Sequence, residues 1–138
     1  MSLRLLVTGD RYWSDDRIIR AVLEPLYAEH PDMVVIQGGA NGADTVAGDV
    51  AEWLGIKVLE FRADWNKYGR GAGPIRNQQM LDEGKPTAVM AFHKNLQASR
   101  GTLDMVKRAR KANLPVTWLD DKANAVTSPE LDEYLKTC

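Results

Sequence analysis

Cysteine is almost missing from this chain: one residue in 138, and it is the last, Cys138. That excludes a disulfide scaffold and a cysteine-based zinc site, and it makes a reducing cytoplasm the expected setting. Long hydrophobic runs are missing too. None approaches the roughly 20 residues that carry a helix across a bilayer, so no membrane role is expected. Residues 1–8 hold one charge before a strand-like run and lack the length and cleavage site of a secretory leader. There is no excess of either charge: 18 Lys and Arg face 19 Asp and Glu, for a net charge of -1. A non-specific nucleic-acid coat would be strongly basic, so bulk electrostatics do not point to that role. Repeats and low-complexity segments are absent. The remaining composition is that of a folded globular chain, 44% hydrophobic and 27% charged. A chain of this length is one domain and buries roughly two thirds of its unfolded surface, enough to fold without a staple.

Five short apolar, β-branched runs occupy residues 3–8, 33–37, 57–61, 88–92 and 115–119. They show little polar alternation, the pattern of strands buried on both faces of a parallel sheet. Helical stripes lie between them. Ile18, Val22 and Leu26 run beside Ile19, Leu23 and Tyr27. Val46, Ala47, Val50, Ala51 and Leu54 form a second stripe, residues 75–81 a weaker third, and Leu103, Val106, Ala109 and Ala112 a fourth. Lys107, Arg108, Arg110 and Lys111 are expected outward on a solvated face. Pro86 and Pro115 punctuate strand entries. Strand and helix alternate throughout, which predicts an α/β fold with right-handed crossovers. Residues 120–138 read as a polar linker and then a short helix through Lys136. Ser128-Pro129-Glu130 supplies the N-cap, first-turn proline and acidic first turn. This helix is expected to pack on the domain or on a second copy.

In an open parallel sheet, ligands bind beyond the C-terminal strand ends, where strand order reverses. The loops there are rich in glycine. Gly9-Asp10-Arg11 follows the first strand, Gly38-Gly39-Ala40-Asn41-Gly42-Ala43-Asp44 the second, and Ser99-Arg100-Gly101-Thr102 opens the helix after the fourth. Glycine lets backbone amides approach a ligand, and free N–H groups at a helix start favour an anion. A phosphate cradle is therefore expected from Gly9, Arg11, Gly38, Gly39, Gly42, Ser99, Gly101 and Thr102. Neither a Walker lysine pattern nor a strand-following Gly-x-Gly-x-x-Gly is present, so the cradle is of another design. Arg76 is the leading phosphate contact, because a guanidinium grips phosphate through two parallel donors. Asn77 stands beside it. Asp44 reads either as a cap on backbone amides, as a ribose hydroxyl acceptor, or as a catalytic carboxylate. Asp10, Asp44 and Asp104 form the one conceivable Mg²⁺ set, at no recognised metal spacing, and no cofactor is required.

Four segments resemble the YspA/cpYpsA-related branch of the SLOG superfamily: Gly38-Gly39-Ala40-x-Gly42-Ala43-Asp44-Thr45, Ala63-Asp64-Trp65, Ala72-Gly73-Pro74-Ile75-Arg76-Asn77-x-x-Met80, and Gly101-Thr102-x-Asp104-Met105-Val106. The resemblance spans residues 3–118. It implies a Rossmann-like three-layer sandwich with five parallel strands in the order 3-2-1-4-5 and helices on both faces. Residues 1–119 would then be the nucleotide-binding domain. The superfamily takes its name from Smf/DprA, which binds single-stranded DNA, and from the Lonely Guy enzymes, which cleave the N-glycosidic bond of cytokinin nucleoside monophosphates. The Lonely Guy Pro-Gly-Gly-x-Gly-Thr-x-x-Glu motif falls on residues 97–105. Gly101 and Thr102 match, Ala98 and Ser99 replace glycines, and the catalytic glutamate becomes Met105. Their Arg-Lys-x-x-Met segment falls on residues 76–80, keeping Arg76 and replacing the lysine by Asn77.

The resemblance thus implies a bacterial or phage nucleotide binder, a sensor or sequestering protein for a nucleoside phosphate, acting as a homodimer. Two alternatives remain: a phosphoribohydrolase using Asp44 or Asp104, and a single-stranded DNA binder, which the charge balance disfavours. Trp13, Trp65 and Tyr68 lie in loops on the ligand side and read either as base-stacking residues or as loop anchors. Trp53 and Trp118 are expected in the core. His30 is expected in solvent, and His93 is a weak acid–base candidate.

Overall fold

A computed structural model describes residues 2–138. Strand β1 (Arg4–Gly9) lies at the centre of a six-stranded sheet. It is flanked by β2 (Val34–Gln37) and β4 (Ala88–Phe92), with β3 (Lys57–Glu60) outside β2 and β5 (Val116–Leu119) outside β4. These five are parallel, in the expected order 3-2-1-4-5. The register pairs Leu5 with Val35 on one side and Leu6 with Val89 on the other. Leu5, Leu6 and Val7 are all but inaccessible, which is why the run shows no polar alternation: each face of the strand meets a helix layer.

The first layer is α1 (Asp16–Glu29) and α2 (Ala43–Leu54), whose Ile19, Leu23, Ala47 and Ala51 pack with Leu5, Val7 and Val35. The second is α4 (Ala72–Gly84), α5 (Arg100–Lys111) and α6 (Ser128–Leu135), whose Met80, Val106, Ala109 and Leu131 pack with Leu6 and Ile36. Between β3 and α4 runs a single helical turn, α3 (Trp65–Tyr68), followed by a 3₁₀ turn. The chain therefore leaves β1 for one layer and reaches β4 from the other, placing the switch in strand order at the C-terminal edge of β1.

Three expectations need correction. The sheet has a sixth strand, β6 (Ala125–Val126), antiparallel to β5. It arises because Asp120 accepts hydrogen bonds from the amides of Lys122 and Asn124, folding the polar stretch into a tight reversal. Trp53 is not core: it is 68% exposed, with the Arg20 guanidinium 4.2 Å over its ring. Six residues at 100° each set it about 120° around α2 from buried Ala47. The outward basic run also divides. Lys107 and Lys111 face solvent, whereas Arg108 pairs with Asp104 at 2.8 Å and Arg110 with Asp132 at 2.7 Å. The terminal helix packs on this domain, with Leu131 inaccessible and Tyr134 5.0 Å from the Trp118 ring.

Candidate functional site

The loops leaving β1 and β2 are tied together at Gly42. Its φ of +83° favours glycine, and a side chain there would run into the Asp10 carbonyl and the Arg11 backbone. The Ala43 amide at the start of α2 donates to the Asp10 carbonyl at 3.0 Å. Close beside it, the Asp44 carboxylate turns back into its own loop and accepts from the amides of Gly38 (3.1 Å) and Ala40 (3.3 Å). Asp44 is 5% exposed. Burial pushes its carboxyl up to about 6, and the nearby Arg76 guanidinium and the two amides oppose that rise.

Arg76 reaches the same point from α4. Its Nη1 donates to the Gly38 carbonyl and its Nε to the Asn77 Oδ1 at 3.1 Å. A side chain at Gly38 would collide with both the Arg76 guanidinium and the Asp44 carboxylate, so glycine is needed for the two to converge. Burial draws the Arg76 pKa down and Asp44 raises it again; the group stays protonated. Asn77, 3% exposed, passes the network on: its Nδ2 donates to Asp104 Oδ2 (2.9 Å) and to the Gly101 carbonyl (3.3 Å). Asp104 in turn accepts from Arg108. One polar chain therefore joins the β2–α2 loop to α4 and α5.

The expected residues fall into three groups. Gly38, Asp44, Arg76, Asn77, Gly101 and Asp104 come together in this network. Gly9, Gly39, Gly42, Ser99 and Thr102 shape the loops around it: Gly9 packs between Phe92 and Ala43, the Gly39 amide donates to Gln37, and Ser99 Oγ caps α5 by accepting from the Thr102 amide at 3.0 Å. Arg11 stands apart in solvent over the Tyr12 ring. Asp10, Asp44 and Asp104 do not form a metal cage; no group of three His, Cys, Asp or Glu side chains suited to a metal occurs among the described residues. Met105, on the position of the Lonely Guy glutamate, is inaccessible in the core beneath α5, so a carboxylate placed there would be buried in hydrocarbon rather than facing the polar network.

His93 is also buried. Its Nδ1 accepts from the Asn95 amide at 3.0 Å, and burial holds its pKa below the ordinary value, so it is a neutral loop-holding group. Trp13 is 6% exposed, edge-on to Phe92, with its indole N–H on the Asp15 carbonyl: an anchor. Sequence reasoning missed Gln37 and Glu60, polar ends of β2 and β3 whose side chains bond at 2.9 Å and brace the Gly39 turn. The signal was a polar residue closing each of two apolar strands. It also missed Arg108. A surface groove of about 630 Å³ between α4 and α5 meets the network at Gln78, Asp104 and Arg108.

Three comparisons bear on this arrangement. Residues 3–68 match the family described as the YspA, cpYpsA-related SLOG family. The Gene 61 protein of Mycobacterium phage D29 is 35% identical over 125 residues, covering 86% of this chain and 98% of that protein. Among solved structures, DNA processing protein A (DprA) from Streptococcus pneumoniae superposes with a TM-score of 0.67 at 21% identity. That match covers 85% of this chain but spans only 50% of the DprA chain, and it speaks to the fold alone.

Proposed function

The chain belongs to the YspA/cpYpsA-related SLOG family, and from that premise we propose that it binds a nucleoside phosphate in the cleft beyond β1 and β2, as a sensor or sequestering protein. The observation that carries this reading is Arg76. A partly buried guanidinium at the switch point is held by two neutral oxygens, those of Gly38 and Asn77. Two of its five donors are used, leaving the rest of a planar fork for an incoming oxyanion. The nearby counter-charge, Asp44, is engaged by the Gly38 and Ala40 amides rather than bonded to the guanidinium, so the free donors remain open to a second anion. The single cysteine fits work in the cytoplasm, and no described helix is long and apolar enough to cross a membrane.

Calorimetry with adenosine monophosphate tests the reading. Losing a charge-assisted bidentate contact costs about 2–5 kcal/mol, so Arg76→Ala should weaken binding roughly 30-fold or more. Arg76 also holds the Gly38 carbonyl, so that variant should lose some stability. Arg76→Lys keeps the charge without the fork and should weaken binding while melting close to wild type. No heat from the wild type at millimolar ligand would sink the proposal.

A second reading, hydrolysis of a ribosyl N-glycosidic bond, is favoured by Asp44, a buried carboxyl with a pKa lifted toward neutrality in the cleft. Chromatographic detection of released base under the same conditions separates turnover from binding. Single-stranded DNA is disfavoured, because the exposed cations of this edge, Arg11, Arg62, Lys67, Arg70, Lys94 and Arg100, are interspersed with Asp10, Glu60 and Asp64 rather than set in a basic track. The proposal includes a homodimer built on helices beside the cleft, and a monomer mass by light scattering at micromolar concentration would count against it.

A further inference from the structure

Among the described residues, five bulky apolar side chains stand well out in solvent: Tyr12, Trp53, Trp65, Tyr68 and Ile75. All but Trp53 belong to loops and helix starts at the C-terminal edge of the sheet. A tryptophan can reach that edge for two reasons, to anchor a loop or to offer a ring to a ligand. Trp13 and Trp118 are anchors: their rings pack on Phe92 and Tyr134, and their indole N–H groups donate to the carbonyls of Asp15 and His93. Trp65 differs. It is 59% exposed, and the turn that carries it buries no residue. It is nevertheless held in place. Asp64 caps α3 by accepting from the Lys67 amide at 3.1 Å. The outer edge of the indole lies against α4, where a Cβ on Gly73 would sit 3.5 Å from Trp65 Cη2.

Gly73 lies three residues before Arg76 on α4, so the two are neighbours on one helix face, about 4.5 Å apart along the axis. An exposed aromatic ring therefore lies against the helix face that carries the guanidinium the preceding reading assigns to phosphate. We propose that Trp65 stacks on the base of the bound nucleotide, so that the cleft takes a nucleoside 5′-monophosphate with phosphate on Arg76 and base on the indole. The proposal rests on that reading of Arg76. Every base presents a π-face, and stacking on an aromatic side chain contributes a share of affinity that truncation to alanine removes. Lys67, 5.1 Å from the Tyr68 ring, adds positive charge on the same turn.

Titration of wild type, Trp65→Ala and Trp65→Phe with adenosine monophosphate and with ribose 5-phosphate tests this. Wild type should bind the nucleotide roughly tenfold or more tighter than the sugar phosphate. Trp65→Ala should lose that difference, binding the nucleotide as weakly as the sugar phosphate while its affinity for the latter is unchanged. Trp65→Phe should keep most of the preference. Equal binding of both compounds by wild type, or undiminished nucleotide binding by Trp65→Ala, overturns the stacking role and leaves the phosphate site standing. Failure of wild type to bind either compound overturns the phosphate reading and the stacking role with it.

Discussion

Asn77 buries nearly all of its surface and commits both ends of its amide to the protein, accepting from Arg76 and donating to Asp104 and Gly101. It is thus a positioning residue, acting on the ligand through Arg76. Truncation to alanine leaves a buried guanidinium donor and a carboxylate short of partners, which costs about 1–3 kcal/mol. Asn77→Ala should therefore lower Tm by roughly 4–10 °C and weaken nucleotide binding as well. An unchanged melting temperature would show that water fills the gap and that the chain of contacts from Gly38 to Arg108 is not cooperative. At this scale the sequence was partly legible. Gly38, Asp44 and Arg76 were visible because glycine beside charged residues at a strand end has few purely structural uses. The division of labour among them was not, because whether an amide faces a ligand or a neighbouring aspartate depends on how α4 and α5 pack.

The strand and helix pattern was legible because both faces of β1, β2 and β4 are covered, and buried parallel strands leave unbroken apolar runs. Short or late elements were less so. Two-residue β6 exists through the Asp120 turn rather than through any propensity of Ala125 and Val126. Its partner α6 is held by contacts distant in sequence: Arg110 on Asp132, and the Ser128 hydroxyl accepting from the Val116 amide at 2.9 Å. Helix faces set the same limit. Met105 and Asp104 are adjacent in sequence yet, about 100° apart around α5, serve different faces, one the core and one the polar network. A motif alignment places Met105 correctly along the chain, but only the packing of α5 on the sheet shows that the position looks inward. Trp53 makes the complementary point on α2: an aromatic inside a helical segment is not core unless its angle around the axis is.

For the whole molecule, the decisive quantity is the charge buried at the switch point. Asp44 meets Arg76, the Gly38 and Ala40 amides, and more distantly Glu60, yet burial dominates and lifts its carboxyl from 3.8 to about 6. A carboxyl with a folded pKa above its unfolded one holds its proton longer in the native state. Between pH 4 and 6 the native state therefore binds more protons than the unfolded one, and stability falls as pH rises. Two pKa units correspond to about 3 kcal/mol, lost in full above pH 6. Asp44→Asn removes this titration while retaining an oxygen to accept the loop amides. It also removes a counter-charge from Arg76 where Asp44 is ionised, and that attraction is already contained in the folded-state pKa of Asp44. The informative measurement is therefore the stability difference between wild type and Asp44→Asn, from urea melts at half-unit steps from pH 4 to 7. That difference should move against wild type by about 3 kcal/mol across the window. A flat difference would mean that Arg76 and the amides hold Asp44 ionised throughout. The same proton links folding to function, because a phosphate approaching Arg76 meets Asp44 as a competitor only while Asp44 is charged. The nucleotide phosphate takes up its own second proton at about pH 6. The informative quantity is therefore the ratio of wild-type to Asp44→Asn affinity, in which the ligand's titration cancels. That ratio should rise as pH falls through 6, in step with the regained stability, and a ratio independent of pH would overturn the link.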